Sequence, residues 1–144
     1  MVKIRCMQKE DVPEVARMEA EYFSEPWSGQ AFLDALDKKE YLYMVAVMGE
    51  EVVAYCGMYQ VLDEGNITQV AVRSDMRGMG IARVLLQDFM QTGNERGVSA
   101  YTLEVRVSNE NAVRVYEACG FETECVRKDF YAVPKEDAYI MWKR

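Results

Sequence analysis

The stretch Ile67-Thr68-Gln69-Val70-Ala71-Val72, then Arg73-Ser74-Asp75-Met76, then Arg77-Gly78-Met79-Gly80-Ile81-Ala82 decides the reading of this chain. A β-prone run ends in a polar break, and two glycines open onto Ile81, Val84, Leu85, Phe89 and Met90 at helical spacing. A strand that turns directly into a helix offers free backbone N–H groups and the positive end of the helix dipole, which together attract an anion such as a pyrophosphate. Glycine lets the backbone come close, because no Cβ intervenes. Arg77 adds a positive charge or a bidentate contact. Two rival phosphate motifs fit less well. No Lys-Ser or Lys-Thr follows, as a Walker loop needs, and Arg83 stands where a dinucleotide fingerprint needs a small residue. A plain strand-to-helix turn without a ligand stays open on these residues alone.

Outward from this turn, the patterns order themselves as β-α-α-β-β-β-α-β-α-β-β. Lys3–Met7 reads as a strand and Asp11–Tyr22 as a helix, with Val12, Val15, Met18 and Tyr22 on one face. Ser28 is placed to cap a second helix, with Trp27 and Phe32 as its hydrophobic staple. Tyr41–Met48 and Val52–Leu62 flank Gly49-Glu50-Glu51 as a hairpin. Asp63-Glu64-Gly65-Asn66 reads as a turn before the strand Ile67–Val72. Gly93 and Gly97 bracket the end of the helix after the glycine turn. Tyr101–Val107 is a strand, Asn109 caps a short helix ending at Gly120, and Phe121–Tyr131 and Ala138–Trp142 complete the chain. The expected fold is α/β: a mixed, mostly antiparallel sheet with helices on both faces and a central β-α-β unit. With no repeat and no linker, residues 1–144 read as a single domain.

Composition narrows the chemistry. The 144 residues contain no histidine, which removes Ser-His-Asp and Cys-His sites and the common histidine-bearing zinc sites. Cys6, Cys56, Cys119 and Cys125 lack zinc-like spacing and are expected to be reduced thiols packed in the core, so no metal is expected. Acid–base work then falls to Glu, Asp, Tyr, Lys or Cys. A net charge of −7 disfavours nucleic acid as a partner and suits a basic one, with simple solubility as the alternative reading. No apolar run is long enough to span a membrane and no secretory signal is evident, so a cytoplasmic location is expected.

Taken together, Val70-Ala71-Val72 and Arg77-Gly78-Met79-Gly80-Ile81-Ala82 resemble the [QR]-x-x-G-x-[GA] acetyl-CoA signature of the GNAT superfamily. Four further segments are similar to its RimI-type branch, the N-terminal alanine acetyltransferases of ribosomal proteins. They are Glu25-Pro26-Trp27-Ser28, the run Leu103–Asn109, Tyr116-Glu117-x-x-Gly120-Phe121, and Arg127-Lys128-Asp129-Phe130-Tyr131 followed by Glu136-Asp137-Ala138. The likeness runs from about residue 3 to 142. It implies a GNAT fold of about seven strands and acetyl-CoA as cosubstrate. It also implies a basic ribosomal protein N-terminus as the acceptor. Asp129 and Gln69 depart from the asparagines common in that branch.

Acetyl transfer to an amine requires the amine to lose a proton, the developing oxyanion to be stabilised and the departing thiolate to be protonated. An α-amine with a pKa near 8 is about 3 kcal/mol easier to neutralise than a lysine, so a carboxylate working through water is sufficient. Glu104 shares a strand face with Thr102 and Arg106, and periodicity alone leaves it open as a solvated or Arg-paired side chain. The resemblance makes it the base, with Glu64 as second candidate. Tyr116 falls on the inward face of its helix with Ala112, Val113 and Cys119; the resemblance makes it the acid. The same resemblance assigns the coenzyme to Val70, Ala71, Val72, Arg77, Gly78, Met79, Gly80, Ile81, Ala82 and Asn109. It further implies that Ile67–Val72 splays away from Tyr101–Val107, and it puts Trp27 and Tyr131 on the peptide side. A lysine or small-amine acceptor, a non-catalytic acyl-CoA-binding module and a nucleotide-binding protein remain as alternatives.

Overall fold

A seven-stranded sheet carries four helices in the computed structural model, which describes all 144 residues. The elements are β1 (Lys3–Cys6), α1 (Val12–Tyr22), α2 (Gly29–Leu36), β2 (Tyr41–Met48), β3 (Glu51–Val61), β4 (Glu64–Val72), α3 (Ile81–Glu95), β5 (Ala100–Arg106), α4 (Glu110–Ala118), β6 (Glu122–Ala132) and β7 (Lys135–Lys143). The order of elements is the expected one. Across the sheet the strands run β1-β2-β3-β4-β5-β7-β6, and every neighbouring pair is antiparallel except β4 with β5. That one parallel pair is joined through α3, as a parallel connection requires.

Each face of the sheet has its own apolar core. Phe89, Leu85 and Leu86 of α3 and Tyr116 of α4 pack with Val53, Met58, Leu103 and Val105 on one side. Val15 and Met18 of α1 and Phe32 of α2 pack with Tyr43, Val45 and Tyr55 on the other. Ser28 caps α2 by accepting from Ala31 N at 3.1 Å, and the Trp27 and Phe32 rings meet at 5.3 Å, so the expected cap and staple are both present.

Several boundaries differ from expectation. β4 begins at Glu64, because Leu62 takes a left-handed conformation (φ 55°) and closes a tight turn; Glu64, Gly65 and Asn66 then pair with Val61, Gln60 and Tyr59. α3 runs through Gly93 to Glu95. Gly93 is there for space: a Cβ would lie 2.3 Å from the Tyr101 hydroxyl, which donates to Met90 O. Val84 is 43% exposed and leaves the apolar stripe to Leu85, Leu86, Phe89 and Met90. β7 starts three residues before Ala138 because Lys135 and Glu136 pair with Ala132 and Tyr131. Cys56 and Cys119 are buried as expected, whereas Cys6 and Cys125 are exposed near the two edges of the sheet.

Candidate active site

β4 and β5 are paired only at Glu64–Ala100, Gly65–Tyr101 and Asn66–Thr102. Beyond that point Ile67–Val72 and Leu103–Arg106 run on without pairing to each other, so the sheet divides at its centre. A bulge at Thr68 helps this happen: Gly57 faces Gln69 while Met58 faces Ile67, leaving Thr68 as the extra residue. The division opens into a cleft of about 640 Å³. Its walls include Val70, Ala71 and Val72 of β4, Arg77, Gly78, Gly80, Ile81 and Ala82 of the glycine turn, and Asn109 and Tyr116.

The turn has the character expected of an anion cradle. Gly78 and Gly80 both have φ of 79°, a region that an L side chain rarely enters. None of the amides from Gly78 to Arg83 donates a hydrogen bond within the protein, and α3 has no side-chain cap. Six N–H groups at a helix start, without internal acceptors, fit a diphosphate. Arg77 is positioned by two contacts: its Nε donates to Val72 O at 3.0 Å, and its guanidinium lies 4.6 Å from the centre of the Tyr22 ring. Tyr22 is itself held by the Ser74 amide, which donates to its hydroxyl at 2.8 Å. Asn109 accepts from Ala112 N at 3.3 Å, the cap expected of it, and also lines the cleft. Met79 is 58% exposed and is absent from the cleft wall.

Tyr116 is buried, at 8% exposure, yet its hydroxyl makes no hydrogen bond to the protein. Its ring is buried while the hydroxyl oxygen itself opens on the cleft, so it is free to serve whatever occupies that space. Burial pushes its pKa up, with a smaller push from Tyr131, so it remains a proton donor at neutral pH. Glu104 does not line the cleft. It stands on the opposite face of β5 from Leu103 and Val105, where Ile140 of β7 is its cross-strand neighbour. Its carboxylate reaches solvent but sits in crowded surroundings: burial raises its pKa more than nearby Arg127 lowers it. Tyr131 is close enough to feel the charge of Glu104, and burial together with that charge pushes it up to about 12. Tyr131 also acts electrostatically on Tyr116, which it pushes further up. Glu64 pairs with Ala100, four residues from Glu104 along β5, or about 13 Å at ~3.3 Å per residue, which is too far to share one proton acceptor site.

The structure also shows residues that the sequence reading missed. Tyr22, Phe23, Met76, Asn111 and Arg114 line the cleft; all but Met76 come from segments distant in sequence from the glycine turn. Glu19 is 2% exposed and accepts from Tyr55 Oη at 2.7 Å, Trp27 N at 3.0 Å and Gln69 Nε2 at 3.4 Å. Gln69 accepts in turn from Tyr43 Oη at 2.7 Å. This network ties the end of α1 and the loop before α2 to β3 and β4, next to the divided strands. On the other side, Arg106 donates to Val133 O, Pro134 O and Glu136, and its guanidinium covers the Tyr131 ring at 4.1 Å; this latches the β6–β7 hairpin to β5.

Comparison with known proteins places this geometry among relatives. The Acetyltransferase (GNAT) family profile matches residues 12–121. A Bacillus subtilis (strain 168) protein, provisionally named a ribosomal protein bS18-alanine N-acetyltransferase, is 33% identical over 96% of this chain and 93% of its own length. The ribosomal protein bS18-alanine N-acetyltransferase of Escherichia coli (strain K12) is 31% identical over 98% of this chain and 96% of its own. The crystal structure of the ribosomal-protein-S18-alanine N-acetyltransferase from Escherichia coli superposes with a TM-score of 0.88 at 30% identity, covering 99% of this chain and 93% of that one. Ard1 from Thermoplasma volcanium gives 0.88 at 26% identity, over 99% of this chain and 96% of its own.

Proposed function

The chain belongs to the GNAT acetyltransferase family and is an acetyl-CoA-dependent N-acetyltransferase, and on that premise we propose that its acceptor is the α-amine of a ribosomal protein's N-terminal alanine. The observation that carries this reading is the divided pair β4–β5: the cleft runs from the amides of Gly78–Arg83 to the unpartnered hydroxyl of Tyr116, with Glu104 on the strand at the opening. Two curated relatives at 31–33% identity over nearly the whole chain carry the alanine-acetyltransferase name, which supports the finer assignment. Acetyl-CoA, when bound, supplies the thioester that gives up its acetyl group. The turn amides and Arg77 hold its diphosphate, and the backbone of Val70–Val72 orients the arm. Glu104, with its raised pKa, is a stronger base than an ordinary glutamate and takes the amine proton through water. Tyr116 gives its proton to the leaving sulfur. Cytoplasmic residence follows from this acceptor, and no helix is long and apolar enough to cross a membrane.

Incubation with acetyl-CoA and a peptide beginning with alanine, with mass-spectrometric location of the acetyl group, checks the proposal. Acetylation at the α-amine is expected. Modification confined to lysine ε-amines, or no modification of either, rejects it.

A further inference from the structure

On the sheet face that carries α1 and α2, beyond the reach of those helices, one continuous row of side chains crosses the sheet, with Thr102 buried at its middle. Tyr41 pairs with Tyr59, Tyr59 with Asn66, Asn66 with Thr102, and Thr102 with Trp142, which pairs with Glu122. Residues directly opposite on neighbouring strands point to the same face, so this row crosses six strands. It lies at the last pair that joins β4 to β5, immediately below the opening of the cleft. Trp27 extends the row at one end, with its ring 6.1 Å from Tyr41, and Tyr41 meets Tyr59 at 6.2 Å. Tyr59 is 38% exposed, and neither Tyr41 nor Tyr59 uses its hydroxyl in a hydrogen bond within the protein.

Carboxylates border this row. Glu64 lies two residues before Asn66 on the same face, Glu104 two residues after Thr102, and Glu122 opposite Trp142; all three are exposed and none is in a salt bridge. The cations nearby are mostly engaged. Arg106 is held by Glu136 and the hairpin carbonyls, and Arg144 pairs with Glu124 while covering Trp142. Arg96 donates to Lys39 O and Tyr41 O, and Arg127 alone acts on Glu104. Aromatic faces beside unpaired carboxylates attract guanidinium and ammonium groups.

We propose that this row is a docking shelf for basic residues of the acceptor that follow its reacting amine. The proposal rests on the acetyltransferase reading for the position of the amine beside Glu104. From Glu104 to Tyr59 is one two-residue step down and two strands across, about 12 Å at ~3.3 Å per residue and ~4.8 Å per strand. An extended peptide covers that in three to four residues, and Tyr41 lies about one residue further. Arginine or lysine at the fourth to sixth acceptor positions would therefore lie over Tyr59 and Tyr41, with Glu64 at their side. The shelf gives the net charge of −7 a local use: it favours basic N-termini over neutral ones with the same first residue.

Two peptides with the same first three residues test it, one with arginines at positions four to six and one with alanines there. Kinetics at saturating acetyl-CoA should give the arginine peptide a KM at least fivefold lower. Tyr59→Ala, at a surface position, should bring the KM ratio of the two peptides to within about twofold of unity, whereas Tyr59→Phe, which keeps the ring, should preserve it. Equal KM values in the unmodified protein, or an undiminished ratio in Tyr59→Ala, overturn the shelf. If neither peptide is acetylated, the functional reading fails. The shelf is then judged by calorimetric affinity of the same peptides for the protein with coenzyme A, where equal affinities overturn it and a Tyr59-dependent preference upholds it.

Discussion

At the scale of single residues, Glu104 and Tyr116 differ in how their surroundings tune them. Glu104 has a raised pKa from desolvation, and a base must be ionised to act. The rate with an alanine-terminated peptide is therefore expected to fall as pH drops through this raised pKa, and Glu104→Gln should lower kcat/KM by ~10²-fold or more and remove that limb of the profile. Stability makes an opposite demand. A carboxyl whose folded pKa is raised favours the folded state below its unfolded pKa, and that favour is lost as pH rises through the folded value. Glu104→Gln is thus expected to raise the melting temperature at pH 7.5 and to lose that advantage below about pH 4, read by thermal denaturation at the two pH values. Which residues build the cleft and its surroundings was partly legible in the sequence. The glycine turn and Asn109 announce themselves locally, through short-range spacing and capping. Glu19 does not: on its own helix it is an ordinary acidic residue, and only the folded sheet delivers Tyr55, Gln69 and the Trp27 amide to it.

At the scale of elements, the helix after the glycine turn separates two uses of glycine. Gly80 serves conformation, with φ of 79° and nothing within 4 Å of a notional Cβ. Gly80→Ala should cost ~1–2 kcal/mol in urea unfolding, and it should weaken acetyl-CoA binding because the neighbouring amides lose their aim. Gly93 serves contact, and its Cβ would meet the Tyr101 hydroxyl at 2.3 Å. Gly93→Ala should destabilise by ~1–3 kcal/mol through overpacking, with little effect on affinity for the coenzyme, since Gly93 is remote from the cleft wall. Sequence alone could not separate these cases: a glycine near a helix end reads as a stop, and the ring that needs its space comes from β5. The same limit explains the misplaced start of β4. Glu64, Gly65 and Asn66 have turn chemistry, and it is pairing with β3 that extends them.

At the scale of the whole molecule, alternation, helical period and glycine placement were sufficient to order all eleven principal elements, because each of those signals is local. The strand order across the sheet and the cleft wall from α1 are long-range and come only with folding, whereas the parting of β4 from β5 was implied by resemblance. Binding at the cleft should register throughout the fold: acetyl-CoA at about a hundred times its Kd is expected to add ~2.7 kcal/mol of stability, whereas NAD or ATP at the same concentration should add nothing measurable in a thermal shift experiment. The divided pair has a mechanical consequence as well. Within the sheet itself, three residue pairs at one end are the ladder contacts between the β1–β4 half and the β5–β7–β6 half, while the core beneath α3 packs across both. The two halves of the sheet therefore resemble the arms of a clothes-peg whose spring is at Glu64–Asn66, and on the proposed reading a coenzyme lodged between the jaws would act as a wedge in place of the missing rungs of the ladder.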